Sequence, residues 1–157
     1  MRMIDRLLEK YGESHQNSLN KLIHWICVPL IVFSLAGLVM SIPWPFGHIS
    51  ALKNWSAVLL FLALIYYLRL SISMFFGFIV VVALLLWGNY SFLQSLDHDQ
   101  SQLAIWSLII FIVAWIGQFI GHKIEGAKPS FFQDIQFLLI GPAWLMHFIF
   151  KRLGIDY

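Results

Sequence analysis

Residues 22 to 42, LIHWICVPLIVFSLAGLVMSI, contain no Asp, Glu, Lys or Arg. At about 1.5 Å of helix rise per residue, such a run covers roughly the 30 Å hydrocarbon thickness of a bilayer. The feature recurs. From Asn54 to Leu96 the only charged residue is Arg69, and 103 to 121 is again free of charge. A chain of 157 residues that is 60% hydrophobic and 11% charged departs from the usual globular balance of about a quarter charged residues. It carries more apolar surface than a soluble core of this size hides, so it reads as an integral membrane protein.

These runs predict an all-α helical bundle occupying residues 1–157 as a single membrane domain. About four transmembrane helices are expected: 22 to 42, a short 54 to 68, 71 to 93 and 103 to 121, with Arg69 marking the second turn. Pro29 predicts a kink rather than a stop, because neighbouring helices satisfy freed backbone groups. Ahead of the first run, Met3, Ile4, Leu7, Leu8 and Tyr11 recur at helical spacing opposite Arg2, Asp5, Glu9 and Lys10, which predicts an N-terminal interfacial helix ending near Gly12. This segment lacks a signal-peptide core and is expected to remain on the mature protein. The last run, 131 to 150, has Asp134 near its start and Gly141-Pro142 in its middle. It predicts a broken C-terminal re-entrant or interfacial helix pair.

Charge placement orients the bundle. Arg2, Arg6, Lys10 and Lys21 put the N-terminus in the cytoplasm by the positive-inside rule. Four spans then leave Arg69, Lys123 and Lys128 on the same side and Asp97 and Asp99 opposite, and a broken last run returns Lys151 and Arg152 to the cytoplasm. The scattered basic residues form no continuous surface for nucleic acid. Cys27, the single cysteine, excludes an internal disulfide and reads as a small packing residue. Trp44, Trp55, Trp87, Trp106 and Trp115 read as interface anchors or packing aromatics, and Asp5, Glu9, Glu13, Asp97 and Asp99 as a solvated surface.

Of six histidines, this topology puts His15, His24 and His122 near the cytoplasmic face, with His147 a further candidate, and His48 and His98 in loops. His24 lies about one turn inside the first span and His122 ends the fourth, so antiparallel packing brings them to one depth. His15 and His24 would face opposite ways on one continuous helix, nine residues at about 100° each. A break between Gly12 and Asn20 is required, with Asn17 or Ser18 capping the span. Gln118 and Glu125 lie four before and three after His122, sharing its helix face, while Gly117 and Gly121 allow close helix approach. Ionisable groups at membrane depth tend to line functional cavities. Three imidazoles with one carboxylate suit a single ferrous iron or zinc ion, with Asn20 and Gln118 expected to hold ring nitrogens and His147 a candidate fourth ligand. The bland alternative is a polar cap on a helix-packing face.

Two segments carry a family resemblance. YGESHQNSLNKLIHWICVP, with Tyr11, Gly12, His15, Asn20, Ile23, His24, Trp25, Val28 and Pro29, and WIGQFIGHKIEGAKP, residues 115 to 129, together resemble the membrane 2-hydroxy fatty acid dioxygenases. These are the proteins named for metabolism of phytosphingosine to odd-numbered fatty acids, formerly grouped as a domain of unknown function. The resemblance implies iron(II)-dependent α-oxidation: a long-chain 2-hydroxy fatty acid reacts with O₂ and emerges one carbon shorter, without 2-oxoglutarate. It implies His15, His24 and His122 as iron ligands and Glu125 as a ligand or an acid beside them. The hydroxyl and carboxylate of the substrate would chelate the metal, with Lys123 or Lys21 attracting the carboxylate and the acyl chain lying among helices and membrane lipid. Where the family's last helix often carries an acidic residue after its proline, LIGPAWLMHFIFKR offers His147. Localisation follows as the inner membrane of a bacterium or the endoplasmic reticulum of a eukaryote, and a homo-oligomer is compatible. Two alternatives remain open at this point: a zinc-dependent membrane hydrolase, and a non-catalytic membrane protein that binds lipid or a partner. A transporter fits less well, because no inverted repeat is present and the polar residues gather at one face.

Overall fold

A computed structural model describes residues 2–126 and 137–157. Within them the chain is helical, and no strand occurs among the described residues. Six helices follow in order: α1 (Met3–Glu13), α2 (Ser18–Met40), α3 (Trp55–Leu70), α4 (Ile72–Ser95), α5 (Gln100–Glu125) and α6 (Ile140–Leu153). Lys128, Pro129 and Asp134, and with them the first half of the expected C-terminal pair, lie outside the described residues.

Helix α2 begins where Asn17 caps it, its side chain accepting from Leu19 N–H at 2.9 Å, and it continues unbroken through Pro29. The expected break before it is present, because α1 ends at Glu13 and four residues separate the two helices. Asn54, Ser71 and Asp99 cap α3, α4 and α5. The turn between α3 and α4 therefore falls at Ser71 rather than at Arg69, which stays in the last turn of α3, where its cation suits the negative end of the helix. Pro142 sits in the first turn of α6, a position where a missing N–H costs nothing.

Three helices, α2, α4 and α5, are long and apolar enough to cross a membrane, while α3 has 16 residues. Only 39%, 22% and 28% of the residues in the most apolar stretches of α2, α4 and α5 are buried inside the protein. Side chains such as Leu22, Val80, Trp87 and Val113 point outward. So large an apolar outer surface needs lipid as its solvent.

Helices α2 and α5 are the antiparallel spine. Along their contact a Cβ on Gly121 would meet Asn20 at 2.4 Å, one on Gly117 would meet Cys27 Sγ at 2.6 Å, and one on Gly37 would meet Ser107 Oγ at 2.3 Å. These small residues set the register. Asn89 Nδ2 donates to the Phe33 carbonyl at 3.2 Å, joining α4 to α2. Helix α1 lays Ile4, Leu8 and Tyr11 against Ala143 and Trp144 of α6 in one apolar cluster that also takes in Val28, Tyr67 and Phe78. The pair α1 and α6 thus closes one end of the bundle, and Tyr67 donates its hydroxyl to the Leu139 carbonyl at 2.8 Å to hold α6 on α3.

Candidate metal centre

The break between α1 and α2 folds His15 back over the start of α2. Its Nδ1–H donates to the Tyr11 carbonyl at 2.6 Å, and its ring stacks on that of Tyr11 with centroids 4.3 Å apart. His24 lies nearly two turns into α2, and its Nδ1–H donates to the Asn20 carbonyl at 3.0 Å. His122 ends α5 on the side turned toward α2. All three are buried, at 2%, 1% and 6% exposure. One nitrogen from each lies within 4.8 Å of the others.

The hydrogen bonds decide the chemistry of this cluster. Carbonyl oxygens only accept, so both Nδ1 atoms carry protons and each ring turns its Nε2 toward the other. His15 Nε2 and His24 Nε2 face each other at 2.8 Å. At that separation the two nitrogens share a proton, whereas two nitrogens on one divalent ion stand about 3.3 Å apart, so a small opening of the pair would turn both toward a common ion. A third buried imidazole turned to the same point favours the metal, since three neutral imidazoles are a common set of ligands for divalent ions and a lone proton needs only two. Fixing Nδ1 with a backbone carbonyl is also how metal-bound histidines are commonly oriented.

The turn carrying His15 is held from α5. Glu125 accepts from Gln16 N–H at 2.7 Å, from Asn17 N–H at 2.9 Å and from Asn20 Nδ2 at 2.9 Å. Both of its oxygens are thereby occupied at the N-terminus of α2, and it stands outside the group of converging nitrogens. Through these bonds Glu125 fastens the end of α5 to the turn that follows His15. Asn20 contributes its backbone carbonyl to His24 rather than its side chain. The side-chain oxygen of Gln118 has no hydrogen-bond partner among the described residues. The Asn20 side chain turns to Glu125 and the Ser14 carbonyl, so the Nδ1 atoms of His15 and His24 meet main-chain carbonyls rather than that amide.

His147 is placed apart from the three. Its Nδ1 pairs with the Tyr157 hydroxyl, and burial, with Lys151 nearby, pushes its pKa below the ordinary imidazole value. It is absent from the converging set, so the candidate fourth ligand instead fastens the C-terminal tail. Lys123 points away from the bundle, because it follows the inward-facing His122 by about 100° of helix, and Lys21 is half-buried.

Three aromatic residues escaped the sequence reading as parts of the site. Tyr11 supplies both a carbonyl and a stacking face to His15, and Trp144 lies 5.2 Å from the His15 ring. Trp115, expected as an anchor or packing aromatic, is buried at 6% exposure. With Tyr11, His24 and Gln118 it lines a cavity of about 30 Å³, roughly the share of one water molecule. Tyr11 and Trp115 carried a sequence signal, their places in the YGESH and WIGQFIGH segments, and Trp144 carried none.

A helical chain with an apolar outer surface and three converging buried imidazoles at one end defines a class, the helical membrane protein with a candidate metal site. The profile of the family described as 2-hydroxy-palmitic acid dioxygenase Mpo1-like matches residues 1–153, and the chain belongs to that family. It is 32% identical over 144 residues to the 2-hydroxy-palmitic acid dioxygenase MPO1 of Saccharomyces cerevisiae, covering 90% of this chain and 76% of the yeast protein. No solved structure matches it.

Proposed function

We propose that the protein is an iron(II)-dependent dioxygenase that converts long-chain 2-hydroxy fatty acids into fatty acids one carbon shorter. The name of the yeast relative supports the substrate class. The observation that carries the reading is the convergence of three buried imidazoles, His15, His24 and His122, with one nitrogen of each within 4.8 Å of the others. The reaction balances without an added reductant: RCH(OH)COOH and O₂ become RCOOH, CO₂ and H₂O, the four electrons given up by carbon passing to one O₂.

His15, His24 and His122 would hold the ion. Bound there, iron(II) supplies dioxygen activation and attraction for a carboxylate. The chain's own residues do the rest. Tyr11 and Trp144 wall the imidazoles from water, and the Tyr11 and Asn20 carbonyls keep both rings in the tautomer that offers Nε2. Lys21 and Lys123 sit at the same end and draw the substrate carboxylate from solution. In this reading the whole chain is one membrane domain in which α2, α3, α4 and α5 cross, α3 by local thinning of the bilayer, while α1 and α6 lie at the cytoplasmic interface. Arg2, Arg6, Lys10, Lys21, Arg69 and Lys123 then share the cytoplasmic end, and Lys53 stands at the other.

The test is turnover of a long-chain 2-hydroxy fatty acid by detergent-purified, iron(II)-loaded protein, with product length read by mass spectrometry. A product one carbon shorter that requires O₂, and that disappears in metal-free protein and in His122→Ala, is expected. Folded, iron-bearing protein that forms no such product overturns the reading.

A further inference from the structure

Beside the imidazoles lies a second and far larger cavity, about 640 Å³. That is well within the range of about 300–1,000 Å³ in which small-molecule sites fall. Its walls come from α2, α3, α4, α6 and the turn before α6, and among the described residues they carry no charge. Its single hydroxyl, on Tyr67, is already committed to the Leu139 carbonyl. Such a wall offers nothing to a polar ligand and suits a hydrocarbon.

Two features say which hydrocarbon. Val28, Val32, Leu138 and Pro142 line both this cavity and the small one beside His24, so the two spaces adjoin across a shared wall. The large cavity also runs away from the imidazoles along α2 as far as Ala36. The twelve residues from His24 to Ala36 span about 18 Å of helix. Its far end is formed by Ala36, Leu60 and Leu85, which the antiparallel course of α2, α3 and α4 brings to one level, while Tyr67 and Phe78 flank the near end. A ligand filling both spaces has a polar head at the histidines and a long unbranched tail beneath it.

We infer that this cavity takes the acyl tail of the substrate and that Ala36, Leu60 and Leu85 set the longest chain accepted, an inference that rests on the reaction proposed above for its head group. Ala36 is the sharpest determinant, because its methyl leaves the space that a larger side chain would fill.

The test combines labelling with kinetics. A 2-hydroxy fatty acid bearing a diazirine at its terminal carbon is photolysed with the whole purified protein, and the labelled peptides are sequenced by mass spectrometry. Label within 57–63 or 81–86, removed by excess unlabelled 2-hydroxy acid, is expected. Ala36→Phe and Leu85→Phe should each lower kcat/KM for the longest accepted acids about tenfold or more while sparing short ones, with metal content unchanged. Leu84→Phe, on the outward face of α4, should leave chain-length preference alone. Label spread over outward residues such as Trp87 and Val113 and indifferent to competitor means that bulk lipid fills the cavity, and overturns the inference. So does an unchanged chain-length profile in both folded variants. Competed label at the far end without any shortened product would keep the tail site and reject the dioxygenase reaction.

Discussion

Glu125 shows how one carboxylate governs a site it does not enter. It accepts from the exposed N–H groups of Gln16 and Asn17 and from the buried side chain of Asn20, so removing it leaves the Asn20 amide short of a partner and frees the turn that aims His15. Partners of this kind are worth about 10–100-fold in metal affinity. Glu125→Ala should therefore bind iron(II) more weakly by about that factor, measured by titration with metal analysis, and excess iron should restore turnover. Were Glu125 itself the acid of the reaction, activity would stay lost at saturating metal. His147→Ala gives the complementary result, because its ring meets Tyr157 and not the cluster: bound iron per protein should not change. The position of Glu125 near the site was legible, since three residues after His122 is the same helix face. Its role was not, because a hydrogen bond to the main chain of residues 16 and 17 depends on how an irregular turn folds.

Among the elements, the contact of α2 with α5 depends on the absence of side chains. At Gly37 an added methyl would fall 2.3 Å from Ser107 Oγ and 2.6 Å from Asn89 Oδ1. Neither neighbour is the tip of a long flexible chain, so α2 must move. Gly37→Ala should lower stability by about 1–3 kcal/mol, read as the denaturation midpoint in detergent, and Ser107→Ala should recover part of the loss. Apolar runs announced the elements but not their ends. Helix α5 extends to Gln100 and Glu125, beyond the expected 103 to 121, because Asp99 caps its start and Gly126, at φ 76°, ends it. Capping is a hydrogen-bond event that hydropathy does not register, which is also why Ser71 rather than Arg69 divides α3 from α4. Those extra residues matter to the site, since His122 lies in the last turn that the longer helix supplies.

Across the whole molecule, the histidines meet where three separate parts of the chain come together. His15 belongs to the turn after α1, His24 to α2 and His122 to α5, and α1 in turn rests on α6. A metal ion at their meeting point would hold four segments together, whereas without it His15 and His24 are joined by a shared proton and His122 only packs beside them. Binding to the folded state alone adds about 2.7 kcal/mol when free metal is a hundred times its dissociation constant. Chelation should accordingly lower the thermal midpoint of the purified protein, restored iron(II) should raise it again, and hydrogen exchange should quicken first in residues 11 to 20 and in α1. His24→Ala should show neither response to chelator nor to iron. If wild-type protein unfolds at the same temperature with and without chelator, while metal analysis shows that iron has left, the three imidazoles are held by packing alone. The 2.8 Å approach would then have to be bridged by a shared proton.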